Sequence, residues 1–162
     1  IGNRHVIEAR QTFVENSRLM KEEGKKYFDE TATGVYDMML RRAMERGVVP
    51  IPDIVFFLFV DDAQILVDRN LKRGDPGEKA IKAEYIKQLN PFFERYRKRF
   101  NEVYEFWGVE APKLVEINMS HNMEEDEEFM KMVATRVEGE ISKAYAELPK
   151  GLFDYGVKHE FE

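Results

Sequence analysis

The sequence predicts an α/β fold, a doubly wound parallel sheet with helices on both faces. Residues 54–60 and 112–118 are short and apolar enough to be strands, and segments of helical period come before, between and after them. Such alternation is typical of parallel sheets, because a crossover helix returns the chain to the same end of the sheet. With 162 residues, the chain has the size of one domain.

Two helices are predicted before the first strand. Residues 12–24 have roughly helical apolar spacing and end at a glycine, and residues 28–46 end before Gly47. In the second helix one apolar stripe is formed by Val35, Met38, Met39 and Ala43. Two prolines then keep residues 48–53 extended and lead the chain into the first strand.

The first strand, residues 54–60, is uninterruptedly apolar, which is typical of a strand covered on both faces. Asp61 and Asp62 follow it as helix N-cap candidates, and residues 63–72 are predicted to form a short helix with a basic end. Residues 73–77 contain two glycines and a proline, and they predict a break.

The rest of the chain is predicted to be a long helical segment, a strand and a closing helix. Residues 79–107 are helical in pattern, and Pro91 should kink this segment or start a fresh helix. The aromatic residues between 92 and 107 have the spacing of a core stripe, which we favour over a base-stacking platform. Strand 112–118 and helix 124–148 follow, and residues 149–162 are predicted to be a tail that packs on another surface.

Composition excludes several classes of function. The net charge of -6 argues against nucleic acid as a partner, since phosphate backbones attract basic proteins. The chain has no cysteine, so disulfides and thiolate metal sites are ruled out. The apolar run at 54–60 is far shorter than the roughly 20 residues that cross a bilayer, so no membrane span is predicted.

Motifs for catalysis and metal binding are weak throughout the sequence. No Gly-x-x-x-x-Gly-Lys-Ser/Thr phosphate loop occurs, and two strands alone make a poor open sheet. We therefore expect the chain to begin partway through a longer product, with the N-terminal strands and phosphate loop absent from it. The three histidines are far apart, so no metal site is predicted, and acidic residues 124–128 are interpreted as a helix start. No catalytic residue and no certain cofactor is predicted.

Three segments, residues 52–60, 66–74 and 83–89, together with Glu78, resemble the deoxynucleoside kinase family. In that family an apolar strand leads to a lid helix with arginines, then to a glutamate that touches the sugar, then to a Glu-Tyr-Leu helix start. The resemblance covers most of residues 1–148, which it makes the C-terminal part of a P-loop-kinase-like domain with its lid at 69–79. It implies that remnant nucleotide and lid positions are occupied by Arg4, Arg69, Arg73, Glu78 and Tyr85.

The sequence also departs from the family pattern. Asn3-Arg4-His5 keeps the arginine of the family's Glu/Asp-Arg-Ser motif but lacks its acid and its serine. Asp75 stands where a further lid arginine is usual, which reverses a charge meant to face phosphate.

Residues 72–76, with Glu78, Ile81 and Tyr85, more closely resemble one divergent branch, the deoxynucleoside-kinase-like accessory subunit of mitochondrial respiratory complex I. This resemblance implies a structural role among other protein subunits, on the matrix side of the inner membrane. The alternative is part of an active deoxynucleoside or nucleoside-monophosphate kinase that uses ATP, either cytoplasmic or in the mitochondrial matrix. A third reading is a pseudokinase that binds a nucleotide without transferring phosphate.

Overall fold

The computed structural model describes residues 5–20, 28–73, 81–121 and 126–147. The helices in these ranges are α1 (Val6–Ala9), α2 (Glu15–Leu19), α3 (Glu30–Glu45), α4 (Ala63–Arg73), α5 (Ala83–Lys98), α6 (Phe100–Phe106) and α7 (Glu127–Glu147). A π-helical segment, Arg10–Val14, joins α1 to α2. Strands β1 (Ile54–Phe59) and β2 (Lys113–Asn118) pair in parallel, which confirms a mixed α/β class that is mostly helical.

The chain divides into two compact units, one that ends at Ser120 and one that begins at His121. The first unit holds the sheet and helices α1 to α6, and the second holds α7. Predicted site residues Arg4 and Glu78, the charge reversal at Asp75 and the tail at 149–162 all lie outside the described residues. None of the described helices is long and apolar enough to cross a membrane.

The first helical stretch begins at Val6, six residues before its predicted start at residue 12. His5 caps it, since the Nδ1 atom of His5 accepts a hydrogen bond from the backbone N–H of Ile7 at 3.4 Å. Histidine is not among the common N-cap residues, so this start carries no standard sequence signal. The π-helical turn shifts the helical register between α1 and α2. Ile7, Thr12 and Asn16 are all buried along this stretch.

Helix α3 lies within two residues of its predicted bounds, but its predicted apolar stripe does not face the core. Val35, Met38 and Met39 are all exposed. The buried side carries Thr33 and Leu40 instead, with Tyr36 and Met44 packed against the core. Asp29 caps the helix by accepting from the N–H of Ala32 at 2.7 Å, and Gly47 ends it with a positive φ of 66°.

The two-stranded sheet is buried unevenly. Phe57 of β1 lies in the core on one face, and Val115 and Ile117 of β2 are buried on the other. Leu58, in register with Ile117, is 58 % exposed, so β1 is not covered on both faces along its whole length as its sequence predicts. The described residues place one partner beside β1, namely β2.

Helix α5 continues through Pro91, although proline was expected to kink or restart the helical segment there. The break comes at Arg99, whose φ of −111° leaves the helical region. Pro91 is exposed, whereas Leu89 and Tyr96 on the same helix are buried. Packing of that buried side offsets the one backbone donor that proline removes.

An aromatic core holds the first unit together. Tyr96, Phe100, Tyr104 and Trp107 are each 3 % exposed or less and pack with Phe57 of β1. Consecutive rings of the first three lie 5.5 and 4.8 Å apart between centroids. The prediction of a core stripe is confirmed for these aromatics, whereas Phe106 in the same segment is 63 % exposed.

Candidate functional site

The carboxyl ends of β1 and β2 carry a polar cluster, which we call the carboxyl-end cluster and define as Asp61, Asn118, Ser120 and Arg69. The parallel register sets Phe59 beside Asn118, so the residues that follow the two strands emerge at one edge of the sheet. The N–H of Met119 donates to the carbonyl of Phe59 at 2.6 Å and extends the pairing beyond β2. Ligands of open α/β sheets bind at this edge, which makes it the candidate site.

Asp61 is the acceptor at the centre of the cluster. Its Oδ2 atom accepts from the Nδ2 of Asn118 at 2.8 Å and from the hydroxyl of Ser120 at 3.0 Å. These two hydrogen bonds, that of Asn118 first, hold the pKa of the exposed Asp61 carboxyl below its ordinary value. Asp61 is therefore a carboxylate at neutral pH.

Ser120 is bonded through every polar group of its own. Its hydroxyl accepts from the N–H of Asp61 at 3.1 Å, and its own N–H donates to the Oδ1 of Asn118 at 2.8 Å. Its carbonyl accepts from the Nη2 of Arg69 at 3.3 Å. The loop after β2 is thus tied both to the end of β1 and to helix α4.

Arg69 and Arg73 stand one turn apart on α4, on the same side of the helix. Arg69 is half-buried and contacts the end of β2, whereas Arg73 is the exposed last residue of the helix. The helix starts next to the sheet because Asp62 accepts from the N–H of Gln64 at 2.8 Å, as its predicted capping role requires. The structure therefore brings Arg69 into the candidate site.

Tyr85 lies in the first turn of α5, half-buried. Its backbone N–H donates to the carbonyl of Lys82 at 3.0 Å, which is an ordinary contact of a helix start. One bond joins this region to α4: the Nδ2 of Asn70 lies 3.5 Å from the carbonyl of Ile81. No described contact places Tyr85 beside the carboxyl-end cluster.

A second arginine flanks the same edge of the sheet, from α5. The guanidinium of Arg97 lies 4.1 Å from the ring centroid of Phe59, the last residue of β1. It also pairs with Glu94 at 2.8 Å and with Glu116 of β2 at 3.5 Å. Its charge contributes to the low pKa of Asp61. Arg97 of α5 therefore borders the carboxyl-end cluster, to which Arg69 of α4 belongs.

Sequence reasoning missed Asn118, Ser120 and Arg97 as site residues, and it predicted Asp61 only as a helix N-cap candidate. Asn118 and Ser120 could have been found, because polar residues directly after two parallel strands must lie close together. Arg97 carried no such signal, since one arginine among the several of α5 cannot be singled out by spacing.

The described residues of the cluster support neither metal binding nor nucleophilic catalysis. Among the described residues, no group of three or more histidines and acids is placed to hold a metal ion. The hydroxyl of Ser120 donates to a carboxylate of low pKa, which is a poor general base. The cluster can accept and donate hydrogen bonds, but Arg97 beside it is already paired with Glu94 and Glu116.

No protein-family model, no curated protein and no solved structure matches the chain. The geometry of the carboxyl-end cluster must therefore carry the functional argument.

Proposed function

We propose that the chain is a non-catalytic, structural subunit that uses a deoxynucleoside-kinase-like, doubly wound fold as a packing module. The assembly that the sequence resemblance indicates is mitochondrial NADH:ubiquinone oxidoreductase, respiratory complex I, on the matrix side of the inner membrane. Its partners are then other protein subunits of that assembly.

One observation carries the proposal: the polar groups of the carboxyl-end cluster bond to each other. Asp61 accepts from Asn118 and Ser120, and Arg69, the predicted lid arginine, donates to the carbonyl of Ser120. In a working kinase, a lid arginine is directed at the transferring phosphoryl group, where it stabilises charge. Here the same side chain ties α4 to the end of β2, which is what a structural module needs.

Native-gel fractionation of membranes from the source tests this proposal, with mass spectrometry of each band for peptides of this chain. We expect the chain to co-migrate with a respiratory complex and to dissociate from it only under denaturing conditions. A free species that never enters a large assembly would contradict the structural role.

A second candidate is part of an active deoxynucleoside or nucleoside-monophosphate kinase, or a pseudokinase that binds a nucleotide without phosphate transfer. Arg69 and Arg97 favour it, because both border the edge of a parallel sheet at which phosphates bind. In that case Arg69 and Arg73 would contact phosphate, and Arg4, Glu78 and Tyr85 would lie at the nucleoside.

Calorimetric titration of the purified full chain with ATP, ADP and deoxynucleosides separates the two candidates, at concentrations up to about 1 mM. The structural reading expects no saturable heat. Saturable binding that Arg69→Ala weakens at least tenfold, and that Arg99→Ala leaves unchanged, would favour the nucleotide-binding candidate. Arg99 is a suitable control because it is 61 % exposed and pairs with its neighbour Glu102.

A further inference from the structure

Helix α3 has two apolar faces, and the fold uses only one of them. Leu40 is buried, and Tyr36 and Met44 pack against the core. On the other side Val35, Met38 and Met39 are 47, 52 and 65 % exposed. These three residues are spaced three and four positions apart, so they form one stripe along the helix. We call it the α3 stripe.

Gly34 adjoins the α3 stripe, and the fold of the single chain does not explain it. A glycine inside a helix weakens the helix relative to alanine. A Cβ atom added at Gly34 would meet no atom within 4 Å, so no close contact within the chain requires the missing side chain. Glycine on an exposed apolar helix face does allow the backbone of a second helix to approach closely.

Charges on α3 are separated along its length. The exposed acids Asp29, at the N-cap, and Glu30 give its start two negative charges, whereas its end carries exposed Arg42, Glu45 and Arg46, two positive charges against one negative. Arg41 is already engaged, because its guanidinium lies over the rings of Phe106 and Trp107. Two α3 helices side by side in parallel would bring like charges together, whereas an antiparallel pair would set acidic ends against basic ends and oppose the helix dipoles.

We propose that the α3 stripe is a self-association surface, on which a second copy of this chain packs its own α3 antiparallel about a two-fold axis near Met38. This places Glu30 of one copy opposite Arg46 of the other, and Gly34 opposite Arg42. The same surface patch serves both copies, as closed two-fold symmetry requires. The inference goes beyond the proposed function and does not depend on it.

The interface is small, which sets the strength of association to expect. Helix α3 has 16 residues, so its contact line is about 24 Å long. A single helix pair of that length lies near the roughly 1,000 Å² lower limit of specific interfaces. We therefore expect a dimer with a dissociation constant of about 10 to 100 µM.

Sedimentation velocity of the full chain at concentrations from about 5 µM to about 500 µM tests the proposal. We expect wild type to pass from monomer to dimer across this range. The double variant Met38→Glu and Met39→Glu places like charges on the axis and should weaken dimerisation at least tenfold. Leu71→Glu is the matched control, because Leu71 is 72 % exposed on α4, and it should dimerise as wild type does.

Charge exchange tests the antiparallel register separately. Glu30→Arg alone and Arg46→Glu alone should each weaken dimerisation several-fold, and the combined variant should recover wild-type affinity. Gly34→Gln should weaken it at least tenfold without loss of helix content in circular dichroism. The proposal is overturned if wild type stays monomeric at the highest concentration, if the Met38/Met39 variant dimerises like wild type, or if the combined charge variant does not recover.

Discussion

The ring of His5 makes two hydrogen bonds, and the one that it accepts requires it to be neutral. Its Nδ1 atom accepts from the N–H of Ile7, which caps α1, and its Nε2 atom lies 3.2 Å from the carbonyl of Pro50, to which it donates. The ring also stacks on Tyr104, with centroids 6.1 Å apart. Burial lowers the pKa of His5 below its ordinary 6.5, and the bond to Pro50 opposes this only in part.

This environment predicts that acid destabilises the fold through His5. Because the pKa is lower in the folded state, the unfolded chain binds a proton first as the pH falls below about 6.5. The free energy of unfolding therefore falls as the pH drops from about 6.5 to the pKa of His5 in the folded state. The loss is at most about 1.4 kcal/mol per pH unit. Urea unfolding at pH 7.5 and pH 5.5 measures the loss.

His5→Asn is the control for this loss, because asparagine can cap a helix but does not titrate. We expect the variant to lose less stability than wild type between the two pH values. If both proteins lose the same amount, His5 is not the responsible group.

At the scale of elements, the N-terminal helical stretch is pinned to α3 by a network of charges. Arg10, in the π-helical segment, bonds to Asp37 of α3 through Nε and, at 2.9 Å, through Nη2. It also pairs with Glu15 at 3.1 Å, which in turn accepts from Arg18 at 2.6 Å. The side chain of Arg10 is 12 % exposed, so these bonds are made largely out of solvent.

We expect Arg10→Ala to lower the free energy of unfolding by about 2 kcal/mol. Breaking a fully buried pair costs roughly 3–5 kcal/mol, and the loss is smaller here because Asp37 is partly exposed. Loss of the arginine leaves Asp37 without its cation, whereas Glu15 keeps its bond to Arg18. Arg99→Ala breaks an exposed pair with Glu102 and should cost about 0.5 kcal/mol or less. Equal losses in chemical unfolding of the two variants would mean that the network does not pin α3.

The elements also show what the sequence could and could not predict. The strands and helices α3, α4 and α7 were predicted to within about three residues, because they depend on local composition and capping. The apolar stripe predicted for α3 lies largely on its exposed side. The buried side of α3 includes Thr33, whose hydroxyl bonds to the carbonyl of Asp29, while Met38 and Met39 are exposed. Which side is buried depends on what packs against the helix.

The candidate site was predicted in part for a related reason. Arg69 was predicted as a site residue, whereas Asp61 and Asp62 were predicted only as helix N-cap candidates. Asn118 and Ser120 reach them only through the parallel register of two strands that are more than fifty positions apart. Register is a tertiary property, and spacing along one segment does not reveal it.

For the molecule as a whole, we expect net charge to limit aggregation through the edge of β1 that no described strand covers. The carbonyls of Asp53 and Phe59 accept backbone hydrogen bonds from the β2 side. Backbone groups alternate in direction along a strand, so the N–H and carbonyl groups of Ile54, Phe56 and Leu58 point away from β2. The six residues of β1 carry no charge. Among the described residues no strand covers that edge, and uncharged apolar edges are templates for aggregation.

Aggregation should therefore be fastest near the isoelectric point of about 5.3, where the net charge of -6 at pH 7 has been titrated away. Leu58→Lys places a cation on the free edge of β1 and should slow aggregation at that pH several-fold, as lysine on edge strands does. Light scattering of heated samples across the pH range measures the rate.

Met132→Lys distinguishes an effect at the β1 edge from an effect of charge alone. Met132 is 57 % exposed, close to the 58 % of Leu58, but it lies on helix α7. Both variants gain one positive charge and lose one apolar side chain, so both isoelectric points rise equally. If strand pairing drives aggregation, only Leu58→Lys slows it at the isoelectric point of each variant. Equal protection by both would assign the effect to net charge and exposed apolar area, and would leave the β1 edge without a role.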